Sequence, residues 1–462
     1  MKAKTLLMTA ATSLAVATNA VAEDDPFDDA FDSGFEDIVS AKPSAASTVY
    51  LAHRFIQRGQ VTTAQPEPGL SQTDHRGLAS LATAWRTQVE WRPTSRFDAV
   101  LDAELNQDWV FDLRPDTGWK PPYRNQRETR LELREARLAY RTSGWALSSG
   151  RQVQTWGFND ALSVLEPVNP PRMAQPGLYD ADEARLSRWL TEARWYLGNW
   201  TLQGMVAHEN RMAELPVYGS DYYPLPAETA DRAPDHGWED PSAHAGGVRL
   251  SGLWQGADLA AFVWRGYNPT GHLMFAPDQV ERHYERLTTI GAGLSVPFNS
   301  AVIKAEIAAE DGLTWAPVSV SQQDGQAVRN SGAENTTQRL SWALGVDVTL
   351  PANSRLLIEY RTDYLPDYQP DMATNLGEEF SHRWAIGAEH STLRERLTLS
   401  GAVLGFGGLA DGGQAMRLAA DWDISDQWRT RLGWVGYRAG DAAQLQAADD
   451  SDRLFWQLEW LF

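Results

Sequence analysis

Charged side chains that recur two residues apart hold most of the chain's capacity for chemistry. Arg86, Asp98, Asp102, Glu104, Arg130, Glu132, Arg134, Arg249, Lys304, Glu306, Arg355, Glu359, Arg361, Arg417, Asp421, Asp423, Arg429 and Arg431 fall in runs where polar and apolar residues alternate. Positions i and i+2 of an extended strand share a face, so these groups line one aqueous surface. Two outcomes are open for them. Opposite charges can pair across neighbouring strands and stiffen a wall. Unpaired ones would set the field met by a passing solute, a ladder such as Arg429 and Arg431 favouring anions.

Reactive chemistry is harder to find. The nine histidines are His53, His75, His208, His236, His244, His272, His283, His382 and His390. No pair has the helical or strand spacing of a metal site, and HExxH and phosphate-loop patterns are missing. His208-Glu209 falls at an expected outer rim, where a surface protease or lipase would carry its site, and reads as polar surface. Asp221, Glu228, Asp231, Asp235, Glu239 and Asp240 make one loop acidic. It is either a hydrated surface or a site for divalent cations near lipopolysaccharide. The sequence thus assigns no catalytic, cofactor or metal residue.

The elements that carry these charges are strands. From about residue 47 the dominant period is two, in segments of roughly 10 to 12 residues. In the last segment Leu454, Trp456, Leu458, Trp460 and Phe462 share one face, and Arg453, Gln457 and Glu459 the other. One face suits lipid and the other water. Tight turns are expected at Arg92–Arg96, Thr142–Gly144, Gly198–Asn199, Gln255–Gly256, Pro297–Ser300, Pro351–Ser354, Ser391–Leu393 and Ser425–Gln427. Longer polar stretches alternate with them at 59–80, 111–127, 156–184, 211–243, 269–284, 312–335, 365–379, 407–412 and 439–449. With a first strand near 48–58, the pattern predicts an all-β, antiparallel, up-and-down transmembrane barrel of 18 strands with both ends periplasmic. Trp91, Trp145, Trp200, Trp254 and Trp428 lie beside the short turns with lipid-facing parity, where an indole N–H reaches the headgroups.

The flanks and composition agree. Residues 1–22 read as a secretory signal, with Lys2 and Lys4, an apolar stretch Leu6–Ala17 and the small-residue site Ala20-Val21-Ala22. That apolar stretch is too short to span a bilayer, and nowhere later do about 18 consecutive apolar residues occur, so the sequence offers no membrane-spanning helix. Residues 23–46 form an acidic periplasmic leader and linker with eight carboxylates between Glu23 and Asp37. Phe27, Phe31 and Phe35 within it share one helical face, so the leader is either a solvated tail or a helix that docks on a periplasmic partner or in the barrel mouth. The formal charge of −20 becomes −22 without Lys2 and Lys4, which argues against binding nucleic acid. Cysteine is absent, which removes disulfides and thiolate metal sites. Twenty tryptophans suit a barrel with aromatic girdles.

Selectivity would rest on the third long loop, Trp156–Ala184. It holds Trp156-Gly157, Asn159-Asp160 and Pro167-Val168-Asn169-Pro170-Pro171-Arg172. Prolines fix backbone angles, so the loop is expected to be stiff. It either folds inward and narrows a pore, with Trp156, Asn159, Asp160, Asn169 and Arg172 as constriction residues, or caps the rim.

The segment Gly150-Arg151-Gln152 with Trp156-Gly157, followed by Val168-Asn169-Pro170, resembles the Gly-Arg-Gln…Trp-Gly…Asn-Pro signature of an uncharacterised outer-membrane barrel family. Leu215-Pro216 with Gly219-Ser220 is similar to a second recurring element there. The match covers about 70 residues. It departs where Pro171-Arg172 stands in place of an expected acidic residue. Members of that family are often encoded beside RND-type (MMPL-like) exporters and periplasmic lipoprotein-sorting-like proteins, and alginate-export barrels are a more distant likeness. The resemblance implies an outer-membrane conduit exporting a lipid-like or polysaccharide product, with an inner-membrane exporter and a periplasmic carrier as partners. The residues alone equally allow a general or anion-leaning porin, or a non-conducting barrel that organises the envelope. Other expected partners are outer-membrane lipids, lipopolysaccharide, and the barrel assembly machinery, which would read the terminal Phe462.

Overall fold

The computed structural model describes residues 48–65, 73–225, 228–232, 244–277, 279–323 and 326–462. The expected signal, the leader with Phe27, Phe31 and Phe35, and loop residues Asp235, Glu239 and Asp240 lie outside the described residues.

Eighteen strands form one antiparallel sheet. In chain order they are β1 (Thr48–Ala64), β2 (Gly77–Thr94), β3 (Phe97–Asp108), β4 (Thr129–Arg141), β5 (Trp145–Gln152), β6 (Arg188–Leu197), β7 (Trp200–Ala207), β8 (Ala245–Trp254) and β9 (Ala257–Tyr267). The second half comprises β10 (Arg286–Phe298), β11 (Ala301–Trp315), β12 (Asn335–Leu350), β13 (Ser354–Tyr364), β14 (Phe380–Thr392), β15 (Leu397–Phe406), β16 (Gly413–Ser425), β17 (Trp428–Ala439) and β18 (Asp452–Leu461). Each pairs with its chain neighbour, and β1 also pairs with β18, from Arg54 opposite Leu461 to Ala64 opposite Asp452. The terminal residue extends this seam: Phe462 N–H donates to His53 O at 3.0 Å, and His53 N–H returns a bond to Phe462 O. Closure leaves no edge, the one way a sheet can satisfy its backbone inside hydrocarbon.

All eight tight turns fall where the alternation breaks. Between β8 and β9 the two-residue turn puts Gln255 and Gly256 at φ 53° and 84°, the left-handed pair whose twist matches flanking strands. The largest boundary difference is in β1, which runs six residues past its expected end near 58, and β2 and β11 also extend into stretches expected to be loop. Gly59, Gln60, Thr62 and Thr63 read as loop, yet Gly59 lies beneath the Trp456 ring and Thr62 pairs with Arg453. A bulge opposite Asp102 and Ala103 gives Arg134 no partner in the β3 register and changes the parity of β4. Leu131 faces out before it, and Leu138 and Tyr140 after it.

The outer surface is apolar. Leu131 is 77% exposed, and Leu432, Ile290, Leu344, Leu418 and Ile307 are each more than half exposed, an arrangement tolerable only against lipid. Trp91, Trp145, Trp254 and Trp428 are exposed beside the short turns, and Trp200 is half-buried there. Trp428 stacks on Trp460 at 6.0 Å. The chain is therefore a Gram-negative outer-membrane barrel, with short turns on the periplasmic side and long loops outside.

Candidate functional site: a loop pinned across the lumen

The loop between β5 and β6 turns into the barrel. Glu306 of β11 accepts the backbone N–H groups of Phe158 (2.6 Å), Asn159 (2.7 Å) and Val164 (2.7 Å), and the Ser163 hydroxyl at 2.9 Å. Glu359 of β13 accepts those of Asp160 (2.6 Å), Ala161 (3.0 Å) and Leu162 (2.7 Å). Six otherwise orphaned donors thus end on two wall carboxylates. Charge-assisted bonds of this kind contribute about 1.5–3 kcal/mol each.

The wall is shaped to receive this segment. Inward-facing Gly291 and Gly293 of β10 leave room for Leu165 and Phe158, and a Cβ at Gly345 of β12 would overlap Asn159 Oδ1. Trp156, Val164, Leu165 and Val168 join Leu190, Met205, Phe262 and Trp264 in one buried cluster. Each such side chain is worth about 1.5–3 kcal/mol when fully buried. At the loop's neck Asn169 accepts the Gln154 N–H at 2.7 Å and donates to Leu186 O at 2.7 Å, tying the two stems together.

The second half of the loop crosses to the other side. Asp180 pairs with Arg417 of β16 at 2.7 Å and with Arg431 of β17. Glu183 lies 3.6 Å from Arg58 of β1 and 3.3 Å from Arg134 of β4. Arg172 pairs with Glu132 of β4 and, at 3.3 Å, with Glu214 of the following long loop. Burial alone would raise the Glu183 carboxyl, but Arg58 and Arg134 outweigh it and bring it down to about 2. Between this half and the wall lies a cavity of about 150 Å³, lined by Arg58, Arg130, Arg134, Arg172, Arg417 and Arg431 together with Glu104, Glu132, Asp180, Glu183 and Glu214. Typical small-molecule sites occupy about 300–1,000 Å³.

The loop thus takes the inward course, and all five of its expected constriction residues are engaged within the barrel. Asp160 also meets Lys304 at 3.1 Å and Arg355 at 2.8 Å. Most of the expected pore-lining charges are paired: Arg86 with Asp102, Glu104 with Arg58, Arg130 with Glu214, Arg355 with Asp347, and Arg361 with Asp363. Arg429 and Arg431 take the pairing outcome rather than forming an unpaired ladder, since Arg429 meets Asp423 at 2.6 Å and Arg431 meets Asp421 at 2.5 Å. Carboxylates two residues apart on β16 face that ladder in register. Arg249 reaches the Trp156 carbonyl at 3.5 Å.

The acidic loop between β7 and β8 also departs from expectation. Its Asp221 is neither hydrated nor placed for a divalent cation, because it is buried against the buried Arg453 of β18. Burial raises the Asp221 carboxyl, and Arg453 more than offsets it, leaving it below the usual range. Tyr222 packs beside Tyr437, and Gly219 O lies 3.0 Å from His75 Nε2. Glu228 and Asp231 are exposed. At the rim, Glu209 is held by Arg151 at 2.6 Å and His208 Nε2 lies 2.9 Å from the Thr191 hydroxyl.

The roles of Glu306, Glu359, Asp180 and Glu183 were not read from sequence. The one signal for the last two is that Asp180, Asp182 and Glu183 are a cluster of carboxylates following the proline-rich turn in a loop whose barrel strands carry inward arginines.

No protein-family model and no curated protein sequence matches the chain. Among solved structures it is similar to OccAB1 of Acinetobacter baumannii, at 10% identity and TM-score 0.51, over 90% of this chain and 96% of that one. It also matches OmpF of Salmonella typhi in complex with daunomycin, at 10% identity and TM-score 0.39, over 91% of this chain and 100% of that one. At such identities the likeness is one of fold, and with OccAB1 it establishes the architecture as that of a large outer-membrane β-barrel.

Proposed function

We propose that the barrel is a gated outer-membrane conduit, closed at rest by the loop of residues 153–187. The observation carrying this reading is that one loop is fastened to β11 and β13 by Glu306 and Glu359 and to β16, β17, β1 and β4 by Asp180 and Glu183. A general diffusion pore needs a standing water column, and here a loop fastened to the wall by carboxylates and ion pairs lies inside the barrel. The family resemblance adds the cargo: a lipid-like or polysaccharide product delivered by an inner-membrane RND-type exporter through a periplasmic carrier. In the same reading Phe27, Phe31 and Phe35 dock that partner, and Phe462 is the residue read by the assembly machinery.

The cavity lining holds seven arginines, Arg127 included, against five carboxylates, and that excess of positive charge favours a second reading, an anion-leaning solute porin. Liposome swelling separates the two. Barrels reconstituted alone should admit small sugars and organic anions slowly or not at all if the conduit is gated, whereas swelling at the rate of an open porin would support the second reading and reject the first.

A further inference from the structure

We propose that the outer loops carry a binding site for one transition-metal ion, Zn²⁺ by its donor set, formed by His272, His283 and Glu334. His272 and His283 are direct cross-strand partners in the hairpin of His272–Ala276 and Gln279–His283, within the loop between β9 and β10. Such partners project from the same face, which brings together two histidines eleven residues apart. Glu334 comes from another loop, between β11 and β12. Its Oε1 lies 3.1 Å from His272 Nε2 and 3.3 Å from His283 Nδ1, and the three donor atoms all lie within 4.8 Å of one another. With Zn–N and Zn–O bonds of about 2.0–2.1 Å, a tetrahedral site has ligand-to-ligand edges of about 3.3 Å. The two histidine-to-carboxylate separations already match that edge.

The surroundings are those of a built site. The far nitrogen of each ring is held by a separate carboxylate, which fixes ring orientation and directs the other nitrogen toward the common point. Glu285 Oε2 lies 2.8 Å from His272 Nδ1, and Asn268 Nδ2 donates to Glu285 Oε1 at 2.6 Å. Glu281 Oε2 lies 3.1 Å from His283 Nε2, while Glu281 Oε1 accepts from Arg232 Nε at 3.0 Å. His272 is buried, His283 half-buried and Glu334 exposed, so an ion can enter from the Glu334 side. Two nitrogens and one carboxylate oxygen suit Zn²⁺, with Cu²⁺ a stronger competitor where available. One ion there would clamp the two loops together at the outer mouth.

The test is calorimetric titration of Zn²⁺ into the purified barrel, freed of any histidine tag, with Co²⁺ absorption as a second readout. One ion per barrel is expected, with visible bands of four-coordinate Co²⁺. His272→Ala and His283→Ala should each abolish both signals, and Glu285→Gln, acting by position, should weaken affinity about 10- to 100-fold. His208→Ala should change nothing. All variants change side chains outside the eighteen strands, so a retained heat-modifiable gel shift verifies folding. Absence of binding by the folded wild type, or binding unaltered in both histidine variants, would overturn the site.

Discussion

The backbone N–H of Asp160 donates to Glu359 Oε1 at 2.6 Å, while the side chain of Asp160 turns away to Lys304 and Arg355. Two carboxyl groups are thereby neighbours without repulsion dominating, because one is met by amide dipoles and the other by two cations. The same few residues fix both where the loop lies and how firmly.

Removing the wall charges should loosen it. Glu306→Gln with Glu359→Gln converts charge-assisted bonds into neutral ones, weakening each by about 1 kcal/mol. The chain has no cysteine, and the buried Asn159 side-chain amide has no hydrogen-bond partner among the described residues, so Asn159→Cys is a clean reporter. Maleimide should label it slowly in the parent and about tenfold or more faster in the double variant. Equal rates would mean the two carboxylates do not hold the loop.

Steric displacement should do the same without altering charge. Gly345→Leu places carbons where Asn159 now sits, on a strand whose hydrogen-bond ladder does not need the glycine. The folded barrel should form, with its heat-modifiable shift intact, and labelling of the Asn159→Cys thiol should accelerate. Labelling that stays as slow with Gly345→Leu as without it would contradict the close approach of loop and wall.

The neighbouring loop depends on a buried ion pair. Arg453→Met strands Asp221 without its partner, and such losses cost about 3–5 kcal/mol. Limited proteolysis should then cut within residues 208–244, and adding Asp221→Asn should restore much of the resistance. Cleavage unchanged by Arg453→Met would show that the pair does not anchor this loop.

Acid should release the far end of the constriction. Glu183 titrates at about 2 instead of 4.5, so its contribution is complete above pH 4.5 and is lost as pH falls toward 2. Glu214 shifts in the same direction, its burial outweighed by Arg130 and Arg172. Open probability in planar bilayers should therefore rise across that window, and Glu183→Gln should flatten the rise. A profile identical in the variant would remove Glu183 from the gate.

Much of the barrel was legible because lipid and water impose parity on every strand, and a run such as Leu454 to Phe462 admits one placement. Where parity is interrupted, sequence misleads: Gly59 to Ala64 looked like loop because small and polar residues serve there beneath Trp456 and beside β18. Proline stiffness announced a rigid third loop without giving its direction, which is set by two carboxylates 142 to 199 residues away. Asp221 read as solvated because its partner, Arg453, sits at the other end of the chain. His272 and His283 escaped a spacing search because hairpin register brings them together.

The central claim, that this loop closes the conduit, is tested most directly by single-channel recording of the purified barrel. The parent should remain predominantly closed at neutral pH, and Glu306→Gln with Glu359→Gln should give long-lived openings. A parent that conducts steadily, with the same conductance in the double variant, would contradict it.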